Sequence, residues 1–378
     1  TTGDNNVAVG YAALLVNTTG GDNVAVGINA LDANTEGVSN NGLGAFSLTA
    51  NTTGNNNVAV GRAALAANTT ASNNTAVGNN ALVANTTGTA NVAVGALAGD
   101  ALTVGSSNVA IGYNSLSTED GHGANVAVGT NSLAVQNAGA TGYNTAVGHN
   151  AGLSVTTAVE TTLVGALAGD AITTGGYNTG FGSAALGATT TATFNTAVGR
   201  NALGANTTGA SNVAVGGQAL DANTTADNNT AVGTSSLGAS TTGTSNTAVG
   251  QASLGSNTTA SNNTAVGKGA LTANTTGTAN TAVGTSALIA NTTANSNTAI
   301  GKDALLANTT GTRNVGVGAS ALKTITTASF NTGVGNDVLG ANTSGASNTG
   351  IGDQALGANT TGASNTAMGS AALAANTT

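Results

Sequence analysis

A glycine that follows an apolar residue recurs every 17 residues along this chain. Gly10, Gly27, Gly44, Gly61 and Gly78 begin a series that runs to Gly369, and only the step from Gly129 to Gly148 is longer, at 19 residues. The series has 22 members and leaves no room for a linker. A period of this length is the mark of a solenoid, so a single continuous array over 1–378 is expected.

The copies align internally. The residue before the glycine is apolar in all 22, and the residue four before it is Asn in all but one, where Thr161 stands. The residue four after it is Leu in 19 copies; Gly99, Gly152 and Gly169 replace it in the others. The unit reads Asn-Thr-Ala-Val-Gly-x-x-Ala-Leu-x-Ala-Asn-Thr-Thr-Gly-x-Ser. Its Asn-(Thr/Val)-Ala-Val stretch is short and β-branched, which predicts a strand. Ala-Leu-x-Ala reads as a second, shorter strand. Asn-Thr-Thr-Gly and the corner glycine are turn chemistry. Helices are excluded because Gly and Asn-Thr-Thr recur too often for a 12-residue helical run.

One such coil cannot bury its own apolar face, but a stack of coils can. The fold class is therefore all-β: a parallel β-solenoid (β-roll or β-helix) of about 22 coils with 17 residues per coil. Stacking turns Asn6, Asn23, Asn57, Asn74 and Asn91 into a ladder of amides, each donating to one neighbour and accepting from the other. Leu14, Leu31, Leu65 and Leu82, with the valines, become apolar seams. Gly10, Gly27, Gly61 and Gly78 mark a corner that needs positive φ or leaves no room for a Cβ. The Asn-Thr-Thr-Gly glycine alternates with Ala from Gly209 to Gly345. That turn is expected not to require positive φ, and the alternation reads as duplication of a two-coil unit. Val7-Ala8-Val9 is apolar on both faces, so the strand is expected to be buried on both: one face against the coil interior, the small alanine face against a partner chain.

Composition excludes several function classes. Charged residues are 5% of the chain and aromatics 2%, against roughly 25% charged residues in ordinary soluble domains. Six Lys and Arg give no basic footprint for nucleic acid. No apolar run is long enough to span a membrane as a helix. The two histidines, without any cysteine, make no zinc pattern, and no serine is matched to a His and a carboxylate. The chain is read as non-enzymatic, with no cofactor and no metal.

Asn5-Asn6-Val7-Ala8-Val9-Gly10 and Ser107-Asn108-Val109-Ala110-Ile111-Gly112-Tyr113-Asn114-Ser115 resemble the head repeats of trimeric autotransporter adhesins, which also occur in phage tail fibres. The family repeat runs Asn-Ser-Val-Ala-Ile-Gly-x-x-Ser; the unit here is longer by an added Asn-Thr-Thr-Gly corner. The resemblance implies a left-handed coil, a homotrimer or filament, and an extracellular, cell-surface or virion-fibre location. It also implies a host-surface or matrix ligand. The function expected is a structural fibre or adhesin-type segment. The alternatives are an ice- or carbohydrate-binding solenoid and a phage tail-fibre shaft. Because the sequence begins and stops mid-repeat without a cap, a longer chain or a filament is expected.

Residues 96–194 keep the period but lose the Asn-Thr-Thr corner, and the two-residue insertion falls there, between 130 and 147. Tyr113, His122, Tyr143, His149 and Tyr177 form the candidate contact patch, with Glu119, Asp120 and Glu160 nearby in sequence. The segment is either a lateral contact site or drift within the array. Asn17, Asn51, Asn68 and their equivalents match the N-glycosylation pattern, but coils ~4.8 Å apart leave no width for a glycan on each, and the turn-residue reading is favoured.

Overall fold

The computed structural model describes residues 2–119, 121–139 and 141–378. Among them lie 22 parallel three-residue strands and no helix, which make the chain a β-solenoid whose successive strands begin 17 residues apart, or 19 at the step from Val126 to Thr145. The chain forms two compact units, residues 1–193 and 194–378. The first holds β1 (Val7–Val9) to β11 (Thr179–Phe181), and the second holds β12 (Thr196–Val198) to β22 (Thr366–Met368). Within each unit every strand pairs with the next in register, as Val58 with Thr75 and Ala248 with Ala265. The insertion leaves this unchanged: Val126 still pairs with Thr145. Regular inter-coil bonds are present on either side of it at Asn137 and Gly142, so the two extra residues fall between those two in sequence.

The expected second strand over Ala-Leu-x-Ala does not form. That stretch and the residue before it are a run of turns in which two alternate residues have positive φ, as at Ala63 (φ 55) and Leu65 (φ 52). Positive φ at every second residue flips successive peptide planes. The Ala63 N–H therefore donates back to Ala45 O at 2.9 Å, while the Leu65 N–H donates forward to Ala81 O at 3.0 Å. Backbone pairing thus continues round the coil outside the strands, and this satisfies groups that burial would otherwise leave costly. A left-handed Leu costs roughly 1–2 kcal/mol. The burial of Leu31, Leu65 and Leu82, each completely enclosed, offsets it.

The interior is narrow, and it reverses the expected facing of the strand. Ala25, Ala59 and Ala76 point inward and are completely buried, whereas the flanking Val and Thr residues point outward. The valine column is not an interior seam. The leucine side chains fill the space opposite the strand. At Gly42, which takes the alanine position, a Cβ would already lie 3.5 Å from Leu31. A methyl fills that gap, and a valine does not fit. Where a larger group does enter, glycines make way for it: Val338 stands in the second alanine column, and Cβ atoms on Gly333 and Gly350 would approach it to 2.9 and 2.7 Å.

The corner glycine meets both conditions set for it. Gly250 has φ +131, and a Cβ there would lie 2.6 Å from the Gly267 carbonyl of the next coil. The Asn-Thr-Thr-Gly glycine has no positive φ, as at Gly277, yet its Cβ would meet Ala294 O at 2.2 Å. In the second unit no two successive coils carry Ala there. A glycine in the next coil meets the same approach, since a Cβ on Gly345 would lie 2.1 Å from Gly362 O, so both duplication and carbonyl crowding bear on the alternation.

Candidate functional site

Two asparagine ladders run through the interior. The predicted one, containing Asn6, Asn23, Asn57, Asn74 and Asn91, is there, but its bonding differs from a simple amide chain. Each Oδ1 accepts the backbone N–H of the next ladder residue, as Asn74 N to Asn57 Oδ1 at 3.0 Å and Asn91 N to Asn74 Oδ1 at 2.9 Å. Most Nδ2 groups donate to the turn carbonyl ahead, as Asn74 to Gly88 O at 2.8 Å, and in several coils the expected amide-to-amide bond is made as well, as Asn57 Nδ2 to Asn40 Oδ1 at 3.0 Å and Asn246 Nδ2 to Asn229 Oδ1 at 3.2 Å.

A second amide-to-amide ladder is formed by the asparagines of Asn-Thr-Thr. Asn51 Nδ2 donates to Asn34 Oδ1 at 2.9 Å, and Asn68 Nδ2 to Asn51 Oδ1 at 2.8 Å. Both ladders meet on one acceptor, since Gly54 O takes bonds from Asn40 Nδ2 and Asn51 Nδ2. Asn51, Asn68 and Asn85 are completely buried, so the folded chain has no space for a glycan there. The sequence signal for this second ladder was the fixed distance of these asparagines from the corner glycine.

The candidate contact residues separate into three columns. Tyr113 and His149 each follow a corner glycine, on an exposed edge two coils apart. Tyr143 and Tyr177 lie two residues ahead of β9 (Thr145–Val147) and β11, at φ 49 and 60. His122 takes the place of the turn glycine. Its N–H donates to Glu119 Oε1 at 3.1 Å, and its Nδ1 lies 3.2 Å from the same oxygen. Glu119 occupies the second ladder's asparagine position and is completely buried. Asp120 lies outside the described residues.

The most extensive exposed feature is one the sequence reading missed: the outward face of the sheet. Alternation along each strand puts the first and third residues on it. Its third-residue column is apolar in every coil, and Val26, Ile111 and Ile300 on it are 36%, 37% and 41% exposed. Its first-residue column is Val or Thr, apart from Asn41. On the Leu side, Asp100, Asp170 and Asp221 share one column. Burial raises each carboxyl above its ordinary value, and bonds from backbone N–H groups oppose the shift only in part. A shallow groove beside Asp221 opens where Gly238 and Gly255 remove side chains from that column. Among the described residues no three His, Cys, Asp or Glu come together as a metal site, and no helix is long and apolar enough to cross a membrane.

Comparison with protein-family models and with curated proteins gives no match.

Proposed function

We propose that this chain is a non-catalytic structural segment of an extracellular or virion fibre, of the adhesin stalk or head type, and that copies of it associate through the outward sheet face. One observation carries the proposal: a column of Val, Ile and their equivalents stands exposed or half-exposed in every coil of both units, free of charge and repeated at the 17-residue period. A contiguous exposed apolar stripe is a common mark of an interface. A surface with the same period as the chain is complementary to a second copy at every rung, and the partner face is therefore the valine face, not the alanine face. The repeats' resemblance to adhesin heads supports the same assignment.

Sedimentation of the purified chain tests it. A dimer, trimer or filament is expected, and Val232→Asp with Val249→Asp and Val266→Asp is expected to yield monomers with an unchanged far-ultraviolet spectrum. A monomeric wild type at micromolar concentration overturns the proposal.

The outward threonines support a second reading. β14 (Thr230–Val232) to β18 (Thr298–Ile300) put five Thr and five apolar residues on one regular face, the kind of surface an ice-binding solenoid uses. Thermal hysteresis comparable to buffer alone removes this reading.

A further inference from the structure

The outward corner ahead of β9, β10 (Thr162–Val164) and β11 departs from the pattern of its unit. In the eight preceding coils this position is Asn, Asp, Ser or Ala; here it is Tyr143, Glu160 and Tyr177. Each stands two residues before one of the mutually paired threonines Thr145, Thr162 and Thr179. All three have φ between 49 and 60, so successive coils present them on the same backbone shape. The Glu160 N–H donates to Gly142 O at 2.8 Å and the Tyr177 N–H to Val159 O at 3.0 Å, which holds the rungs in step. Tyr143 is 62% exposed and Tyr177 46%. Rungs advance by ~4.8 Å, so the tyrosines stand roughly 9.6 Å apart along the stack with a carboxylate between them.

The chemistry of this ladder fits one ligand class. An exposed aromatic ring offers a flat apolar face with a polar edge, and the C–H face of a pyranose stacks on such a surface. In an extended β-1,4-linked glycan each ring is turned over relative to its neighbour, so every second ring presents the same face. One ring per rung places alternate rings over Tyr143 and Tyr177. The hydroxyls of the ring between them lie at the edges of the ribbon, where the exposed Glu160 carboxylate accepts a hydrogen bond and the outward Thr162 hydroxyl donates or accepts one. The chain has a net charge of −8 and the ladder's charged group is itself an acid, so a neutral glycan is favoured over an anionic one.

We propose that Tyr143, Glu160 and Tyr177 form a binding ladder for a neutral, extended β-1,4-linked glycan running along the coil stack. The ladder lies at the rim of the outward face, one column beyond the threonines, and its binding does not depend on self-association through the valine column.

Affinity electrophoresis of the whole chain in native gels containing hydroxyethyl cellulose, with titration calorimetry of cello-oligosaccharides, tests this. Wild type is expected to be retarded, and cellotriose to bind at least about tenfold tighter than cellobiose, which cannot reach both rings. Tyr143→Ala or Tyr177→Ala is expected to weaken binding about tenfold each. The Tyr143→Phe/Tyr177→Phe variant keeps binding, which separates lost stacking from misfolding, and Tyr113→Ala leaves it unchanged. No retardation of wild type overturns the proposal. So does unchanged retardation of the Tyr143→Ala/Tyr177→Ala variant, or equal retardation in dextran or alginate gels.

Discussion

Leu163 packs where a side chain on Gly169 would have to be: a Cβ at Gly169 would lie 2.6 Å from Leu163 Cδ2. Leu163 is the one leucine in the inward alanine column, and Gly152 and Gly169, across the coil from it, are two of the three glycines in the leucine column. Core volume has moved across the coil. A second transfer accompanies it: Val155 and Ile172 take asparagine positions of the second ladder, and both are completely buried. Gly99 and Leu102 repeat that second exchange.

The exchange predicts a non-additive cycle. Leu163→Ala alone leaves a cavity and is expected to cost about 2–5 kcal/mol. Gly169→Leu alone overfills the coil and is expected to cost about 1–3 kcal/mol. The double variant removes the Leu163 overlap and fills its cavity, with Ile172 unchanged, and is expected to be less destabilised than the sum of the singles. Denaturant titration of the four proteins measures the coupling; strict additivity contradicts the packing account.

The corner glycine allows a sharper contrast. Gly250→Ala combines a φ of +131 with a Cβ 2.6 Å from the next coil's backbone, so a loss of about 3 kcal/mol or more is expected. Replacement of the exposed Gln251 by Ser is expected to change stability by less than about 0.5 kcal/mol. Thermal melts of the pair check the ranking.

The turn column predicts that neighbours decide what a site tolerates. Gly277 lies between coils carrying Ala260 and Ala294, and its Cβ would meet Ala294 O at 2.2 Å. Gly277→Ala is expected to cost about 1–3 kcal/mol, and the same substitution combined with Ala294→Gly less. Equal losses would leave duplication as the better account of the alternation.

In the second ladder, Asn291 donates to Asn274 Oδ1 at 2.9 Å and accepts from Asn308 Nδ2 at 3.0 Å. Asn291→Ala breaks both bonds in a buried site, and a loss of about 1–3 kcal/mol is expected. A variant as stable as wild type by chemical denaturation would show that the ladder does not contribute.

Asp100, Asp170 and Asp221 give a pH dependence. Burial raises their pKa from the ordinary 3.8, so the native state holds these protons more tightly than the unfolded chain. Their contribution is complete below pH 3.8 and is lost as pH rises through the raised values. Asp100→Asn with Asp170→Asn is expected to raise the melting temperature at pH 7, with the gain vanishing below the ordinary carboxylate value. A gain independent of pH would assign it to something other than ionisation.

The period, the corner glycine, the leucine column and the first asparagine ladder were legible in the sequence. Each rests on one residue type recurring at one interval, and stacked coils require that of any residue touching its own copies. The facing of Val-Ala-Val was not legible, because both faces are apolar and alternation alone cannot say which one is inside. The narrow interior decided it: opposite the leucines there is room for a methyl and no more. The tertiary structure also decided that Ala-Leu-x-Ala is not a strand. Local propensity gives no reason for Leu to adopt positive φ; only burial against neighbouring coils, with N–H groups paired alternately backward and forward, makes it favourable. For the same reason the grouping of Tyr143, Glu160 and Tyr177 came from the fold: residues 17 apart in sequence become neighbours only when the coils stack.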